Sequence, residues 1–439
     1  MQAAHTIETE PQAPVGRRYL TIVLMVLGYA GYYLCRSDLS IAMPLLIEDL
    51  KSHGLSAGSA RIGMGLVASW GVFAYAGGKI LSGWFADIWG GKRNFVTGMA
   101  GSVLFTILFA VGGALPVFTM AWIGNRFIQS FGWSGMVKIV SKWWPFSSYG
   151  SVMGIISLSY LFGDALARQF LSLLIARGAG WQELFLAAAA VLAVLTLANV
   201  VLLKESPRAL GFSEPPVNPG NLFRETDGQD AGAPLFAMLR VFARSRAFWL
   251  VCLLSLGVTL IRETFNLWTP EYFVQALGFT AAEAAQRSSW FPLAGGFSAL
   301  LAGALSDRLG RNGRALIVLF GLLLASVVLA VLAYSDPRIA RGGSVLLVTA
   351  IAFLIIGPYS FLGGAMALDF GGRQGSATAS GLIDGIGYLA GVLAGSSIAA
   401  VSVKWGWTGA FGLLSAVAAL SSVVAAIYLM RDNLWRGTR

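Results

Sequence analysis

Residues 36–44 read Arg-Ser-Asp-Leu-Ser-Ile-Ala-Met-Pro, and residues 262–270 read Arg-Glu-Thr-Phe-Asn-Leu-Trp-Thr-Pro. Each stretch is an arginine followed eight positions later by a proline, and each lies inside a long apolar run. An arginine in the middle of a membrane helix costs at least about 2.5 kcal/mol on insertion scales, so it faces a cavity or a partner rather than lipid. An ion pair with neighbouring Asp38 or Glu263 is the plainer account of one such arginine. Two of them, 226 residues apart at matching places in a duplicated chain, point to function. The pattern predicts two homologous halves whose arginines converge near the bilayer midplane.

The surrounding sequence agrees. The chain has 439 residues, 56% hydrophobic and 12% charged, about half the charge of an ordinary soluble protein. Mean hydropathy is +0.71, which excludes a single soluble core and a disordered chain. Twelve apolar stretches predict an all-α integral membrane protein with spans at 19–47, 61–85, 94–113, 116–140, 149–176, 183–203, 247–274, 286–307, 315–334, 343–368, 374–402 and 408–430. Residues 205–245, rich in Pro, Gly, Asp and Glu, read as a linker between two six-helix halves at 19–204 and 246–430, with tails at 1–18 and 431–439.

The net charge of +10 follows from 31 Lys+Arg against 21 Asp+Glu. Under this topology eighteen basic residues fall on the side of the termini and linker, seven on the other side and six inside spans. The excess is therefore a topology signal that puts both tails in the cytoplasm of a cell (inner) membrane, not a nucleic-acid footprint. Residues 1–16 lack the apolar core of a signal peptide. Cys35 and Cys252 lie in apolar runs and read as free thiols.

A second repeat lies in the loop after the second helix of each half. Gly83-x3-Asp87 is followed by Gly90, Lys92 and Arg93; Gly303-x3-Asp307-Arg308 is followed by Gly310 and Arg311. The charges of these loops are expected to lock helix ends together on the cytoplasmic side and to part when the protein changes state. The loops resemble the conserved loop motif of the major facilitator superfamily, the first copy being less complete.

Two converging guanidiniums describe an anion site, because each planar fork can bond two oxygens of a phosphate or carboxylate. Lys79, eight residues before Asp87, adds a cation with no counterpart in the second half, where Ala299 stands; Lys138 is a further candidate. Tyr29, Tyr32 and Tyr33 precede Arg36 within two turns, and their hydroxyls could donate to phosphate or sugar oxygens. Aromatic packing is the alternative for each of them.

Gly28-Tyr29-Ala30-Gly31-Tyr32-Tyr33-Leu34-Cys35-Arg36, continuing to Ala42-Met43-Pro44, resembles the first helix of the organophosphate:phosphate antiporters. That family includes glycerol-3-phosphate and hexose-6-phosphate transporters and sugar-phosphate exchangers. The likeness extends through Lys79–Gly83, Gln129–Trp133, Lys142–Trp144, Arg262–Pro270, Gly357-Pro358 and Gly381–Leu389, over nearly the whole chain except the tail and linker. It implies a major facilitator fold in which Arg36 and Arg262 hold the phosphate with Lys79 nearby. It further implies exchange of an organic phosphate ester for inorganic phosphate by alternating access.

One departure stands out. The glycerol-3-phosphate carriers place a histidine in the fifth helix, whereas this chain reads Ser159-Tyr160-Leu-Phe-Gly163-Asp164. Its two histidines, His5 and His53, lie outside the spans, so the polar part of the substrate is expected to be read differently. Ser159, Tyr160, Asp164, Glu263 and Asp384 are the remaining candidates for contacting substrate or carrying a coupling proton. Asp164 could equally pair with Arg168 four residues on. The expected partners are a phosphorylated small molecule, inorganic phosphate and the lipid bilayer, with no nucleic acid, cofactor or metal, and one chain suffices for a pathway. No nucleophile–base set or phosphate-binding glycine loop suggests an enzyme. The alternatives are a membrane sensor of a phosphorylated sugar, since the family contains a receptor-like member, and a proton-coupled carrier of another organic anion.

Overall fold

A computed structural model of the chain describes residues 13–216, 218, 221–223, 234–279, 287–335 and 341–436. Expectations for the tail at 1–12, for linker residues 224–233 and for 437–439 lie outside the described residues. The first half consists of α1 (Val15–Ser52), α2 (Ala57–Trp89), α3 (Gly91–Val111), α4 (Leu115–Gln129), α5 (Phe131–Trp143), α6 (Tyr149–Ala176) and α7 (Trp181–Leu202). After the short α8 (Leu235–Arg244), the second half contains α9 (Arg246–Gln275), α10 (Trp290–Arg308), α11 (Gly313–Tyr334), α12 (Arg341–Ser360) and α13 (Ala367–Arg436).

These helices make twelve passes. α4 and α5 form one pass interrupted at Ser130. α12 continues through a wide turn at Phe361–Met366 into α13. The chain then reverses at Gly372 (φ 55°) and Gly406 (φ 67°), left-handed positions that a side chain would strain. Eight described segments are long and apolar enough to span by composition alone, and one of them, Gly342–Ala394, holds two passes. The other three passes are α2, the divided α4–α5 pair and α10. Lipid-facing surfaces carry exposed Leu104, Leu108, Val194, Leu197, Phe297, Leu301, Leu324 and Leu420, as expected of helices whose outer faces meet hydrocarbon.

Within the first half α1 packs on α6 and α7, and α3 on α4, α5 and α7; within the second, α9 and α11 pack on α13, and α10 on α12. The halves meet along two seams, α2 against α13 and α10 against α6. Both seams bring backbones into contact near the end that carries the linker. A Cβ on Gly83 would strike the backbone of Ala377 and Thr378, and one on Gly303 the backbone of Gly150 and Ser151. Here the repeated glycines act as the small residues that let backbones touch.

The linker holds structure that its polar composition does not signal. α8 buries Met238 and Phe242, with the Phe242 ring 4.7 Å from Phe248 and 5.6 Å from Phe223. Ahead of it, Glu214 pairs with Arg373 at 3.1 Å, Asn218 Nδ2 donates to Asp369 at 3.0 Å and the Leu222 amide donates to the Phe370 carbonyl at 2.9 Å. The tether thus lies across the α12–α13 corner.

Candidate functional site

α1 loses helical geometry at Cys35 (φ −84°, ψ 16°), one residue before Arg36. A kink frees a carbonyl that needs a donor, and Gln129 Nε2, at the end of α4, supplies it at 2.7 Å. Arg36 then turns to the aromatic cluster. Its Nη1 donates to the Tyr33 hydroxyl at 2.9 Å, and its guanidinium lies 4.4 Å from the Tyr75 ring centroid. From the other half, Arg262 donates to Glu263 and, at 3.1 Å, to the Tyr388 hydroxyl, with its guanidinium 4.1 Å from the Tyr359 ring. Tyr75 and Tyr388 meet edge to face at 5.1 Å. The two repeated arginines are therefore joined across the interface through a pair of tyrosines.

Between the halves lies a small cavity of about 20 Å³. The first half lines it with Tyr29, Tyr33, Tyr75, Lys79, Trp133 and Tyr160, and the second with Arg262, Tyr359, Ser360, Gly363, Asp384 and Tyr388. Two bonds cross its floor. Lys79 Nζ contacts Asp384 Oδ2 at 2.7 Å, with both side chains buried, and Trp133 Nε1 donates to the Gly363 carbonyl at 3.0 Å. Gly363 is at this position because any Cβ would run into the Asp384 carboxylate.

The structure thus brings Tyr29, Tyr33, Lys79, Tyr160, Arg262 and Asp384 to the cavity, with Arg36 stacked behind Tyr33 and Tyr75 and Glu263 reaching it through Arg262. Other expected binders turn elsewhere. Tyr32 donates its hydroxyl to the Phe95 carbonyl at 2.7 Å, facing α3. Ser159 donates to its own helix at Ile156, and Asp164 accepts from Ser37 at 2.5 Å within the first half. The Arg168 side chain lies outside the described residues. Lys138 belongs to the gate described next.

At the linker end each loop aspartate caps a helix of the opposite half. Asp87 is buried and accepts from the Ala377 amide at 3.3 Å, the Thr378 amide at 2.7 Å and the Thr378 hydroxyl at 2.7 Å; Lys138 lies 3.0 Å away. Lys138 also donates to the Arg373 carbonyl. Asp307 mirrors this, accepting from the Gly150 amide at 3.1 Å and the Ser151 amide at 2.7 Å. The cations differ from those expected of the loops. Arg93 and Arg308 point to the surface, and the Arg311 side chain lies outside the described residues. Asp87 is matched by Lys138 of α5, and Asp307 by Arg314 at 3.6 Å, which also pairs with Asp369. A carboxylate at a helix N-terminus finds its donors in free amides, so nearby loop arginines are not required.

Sequence reading missed Tyr75, Tyr359, Tyr388 and Arg126. Tyr75 precedes Lys79 by one helical turn, which was an available signal. Arg126, 8% exposed, projects from α4 with its guanidinium 4.5 Å from the Tyr75 ring.

The sequence matches the model of the Major Facilitator Superfamily over residues 25–395. A glycerol-3-phosphate transporter of Bacillus subtilis (strain 168) is 25% identical, with 94% of this chain and 91% of that protein covered. A membrane sensor protein, UhpC, of Salmonella typhimurium is 26% identical, with 94% and 91% covered. Among solved structures, the human organic anion transporter MFSD10 superposes with a TM-score of 0.71 at 16% identity, covering 94% of this chain and all of that one, a likeness of fold.

Proposed function

The chain belongs to the Major Facilitator Superfamily, and we propose that within it the protein is a secondary transporter that exchanges an organic phosphate ester for inorganic phosphate. One observation carries this reading: Arg262 lines a tyrosine-walled cavity, and its repeat partner Arg36 of the other half stacks directly behind two of the tyrosines that line it, Tyr33 and Tyr75. Guanidinium forks bind phosphate oxygens in pairs, and tyrosine hydroxyls supply further donors around them. The kinship with a glycerol-3-phosphate transporter supports phosphate as the anchor group.

The proposed mechanism follows from where charge is matched. The halves at 19–204 and 246–430 rock about the site, tethered by 205–245. The linker end is the cytoplasmic one, in keeping with the basic residues around it, and the protein works as a monomer in the inner membrane. Phosphate bound between Arg36 and Arg262 cancels buried like charge and draws the halves together. Opening toward the cytoplasm then requires the helix caps at Asp87 and Asp307 to part. Binding biases this equilibrium by its difference in affinity for the two states.

Liposomes reconstituted with the protein and loaded with phosphate should take up labelled phosphate. Arg36→Lys and Arg262→Lys should each lower that uptake by more than about tenfold, since lysine is a point charge without the fork. Full exchange by either variant would refute the bidentate reading. The sensor relative supports a second reading, ligand binding without turnover. Saturable phosphate binding with no exchange in the same liposomes would establish that reading instead.

A further inference from the structure

The buried cations around the cavity are unequally matched. Lys79 has Asp384 and Arg262 has Glu263. Arg36 and Arg126 have no carboxylate at ion-pair distance among the described residues; their partners are the Tyr33 hydroxyl, the Gln129 side-chain oxygen at 3.0 Å and the ring of Tyr75. The two guanidiniums flank that one ring at 4.4 and 4.5 Å from its centroid, so they cannot be more than about 9 Å apart. Gln129 ties them together, accepting from Arg126 with its oxygen while its Nε2 holds the Cys35 carbonyl at the kink beside Arg36. Arg126 is thereby a positioned cation, set next to the phosphate-binding arginine and outside the repeat.

The carboxylate with the best claim on Arg126 is Asp38 of α1. It is fully buried, with one oxygen on the Leu39 amide at 2.7 Å and the other without a hydrogen-bond partner. It stands beyond ion-pair distance of Arg126, so it tempers that charge without satisfying the guanidinium. Tyrosine π faces and an amide oxygen compensate only part of the cost of holding two guanidiniums so close in a site shielded from water. A second anionic group on the occupant would complete the match.

We propose that Arg126 is the cation of a second anion subsite, and that the carried ester is a short phosphorylated acid whose carboxylate Arg126 receives while its phosphate engages Arg36 and Arg262. This inference rests on the transporter reading and narrows its substrate class. The narrow spacing suits a skeleton of about three carbons, in which phosphate and carboxylate lie within a few bonds of each other. A phosphate ester ending in a neutral hydroxyl would leave Arg126 unmatched, and a missing partner for a buried polar group is a strong basis for discrimination.

The test uses two competitors that differ at one carbon. 3-Phosphoglycerate ends in a carboxylate where glycerol 3-phosphate ends in a hydroxymethyl group. Each is titrated against labelled phosphate exchange in liposomes carrying the full chain. The wild type should prefer 3-phosphoglycerate by at least about tenfold. Arg126→Gln should abolish that preference, read as the ratio of the two inhibition constants so that any general loss of exchange cancels, and Arg126→Lys should keep most of it. A wild-type preference for glycerol 3-phosphate overturns the subsite whether or not any variant folds. So does an unchanged ratio in an exchanging Arg126→Gln protein, which would make Arg126 merely a counter-charge for Asp38. Absence of phosphate exchange by the wild type refutes the transporter reading itself, a result distinct from either.

Discussion

Replacing Asp87 by asparagine tests whether the capped helix ends form a gate. The carboxylate accepts two backbone amides and one hydroxyl from the opposite half and faces the Lys138 ammonium at 3.0 Å, all shielded from solvent. Asparagine keeps the shape but offers one acceptor oxygen, no charge, and an amide that meets N–H donors. Hydrogen bonds to a charged group contribute about 1.5–3 kcal/mol each, and breaking a buried ion pair costs about 3–5 kcal/mol. Against this, Asn retains a neutral bond and Lys138 keeps the Arg373 carbonyl. A net loss of about 3 kcal/mol from the closed state is a reasonable middle figure, and about 1.4 kcal/mol corresponds to each factor of ten. Once the seam has opened, Asp87 leaves the Ala377 and Thr378 donors of the other half and, with Lys138 of its own half, meets water, so the same substitution costs the open state little.

The population open at the linker end should therefore rise by about a hundredfold. Ser306 is a suitable reporter because it is buried in the other seam, where a Cβ built on Gly150 would meet its hydroxyl. In a Ser306→Cys background, maleimide labelling of detergent-solubilised protein should follow the open fraction. Asp87→Asn should speed that labelling by about two orders of magnitude, through an event more than a side chain's reach from the reporter. Equal labelling rates with and without the substitution, in protein of unchanged melting temperature, would show that the cap is equally present in both states. The gate reasoning would then fail.

Two further outcomes bear on the cavity floor. Lys79→Ala and Asp384→Ala should each destabilise the protein by about 3–5 kcal/mol, by stranding a buried charge. The double variant should recover most of the lost melting temperature, and simple additivity would show that the pair is not coupled. Gly363→Ala places a methyl group against the Asp384 carboxylate, so it should push Asp384 off Lys79 and lower both melting temperature and phosphate exchange. A variant with neither change would show that the wide turn relaxes freely.

How much could be read in advance depends on the range of the signal. The twelve passes were visible because hydropathy is local, and Arg36 and Arg262 were visible because a charge in an apolar run is conspicuous by itself. The break at Ser130 was not, since both sides of it are equally apolar. α8 was missed for the opposite reason: a ten-residue amphipathic turn of helix sits at the end of a polar tether. Tyr75 and Tyr359 look like packing aromatics in sequence, and they become site residues only when helices of different halves face each other. The same limit explains the gate. The sequence showed only that the loop charges around Asp87 and Asp307 should lock helix ends together, whereas the fold supplies backbone amides some 290 and 157 positions away as their partners.

The sorting of buried charge also bears on why exchange, rather than one-way flow, is the expected mode. Among the cations in the spans, Lys79 pairs with Asp384 across the halves, and Lys138, paired with Asp87 of its own half, donates to the Arg373 carbonyl of the other; these cross-half bonds lie from the cavity floor to the linker end. Closing that end is therefore favoured with the site empty. Arg36 and Arg126 sit against Tyr75 with no such partner among the described residues. Sealing the cavity over them empty would hold like charges in a medium of low dielectric, at a cost that a phosphate dianion removes. On the proposed reading, passage through the sealed state is easy in either direction with an anion aboard and slow without one. The return step then needs inorganic phosphate as its passenger. On that reading the coupling resides in Arg36 and Arg126, which have no carboxylate at ion-pair distance among the described residues, rather than in a proton-carrying group.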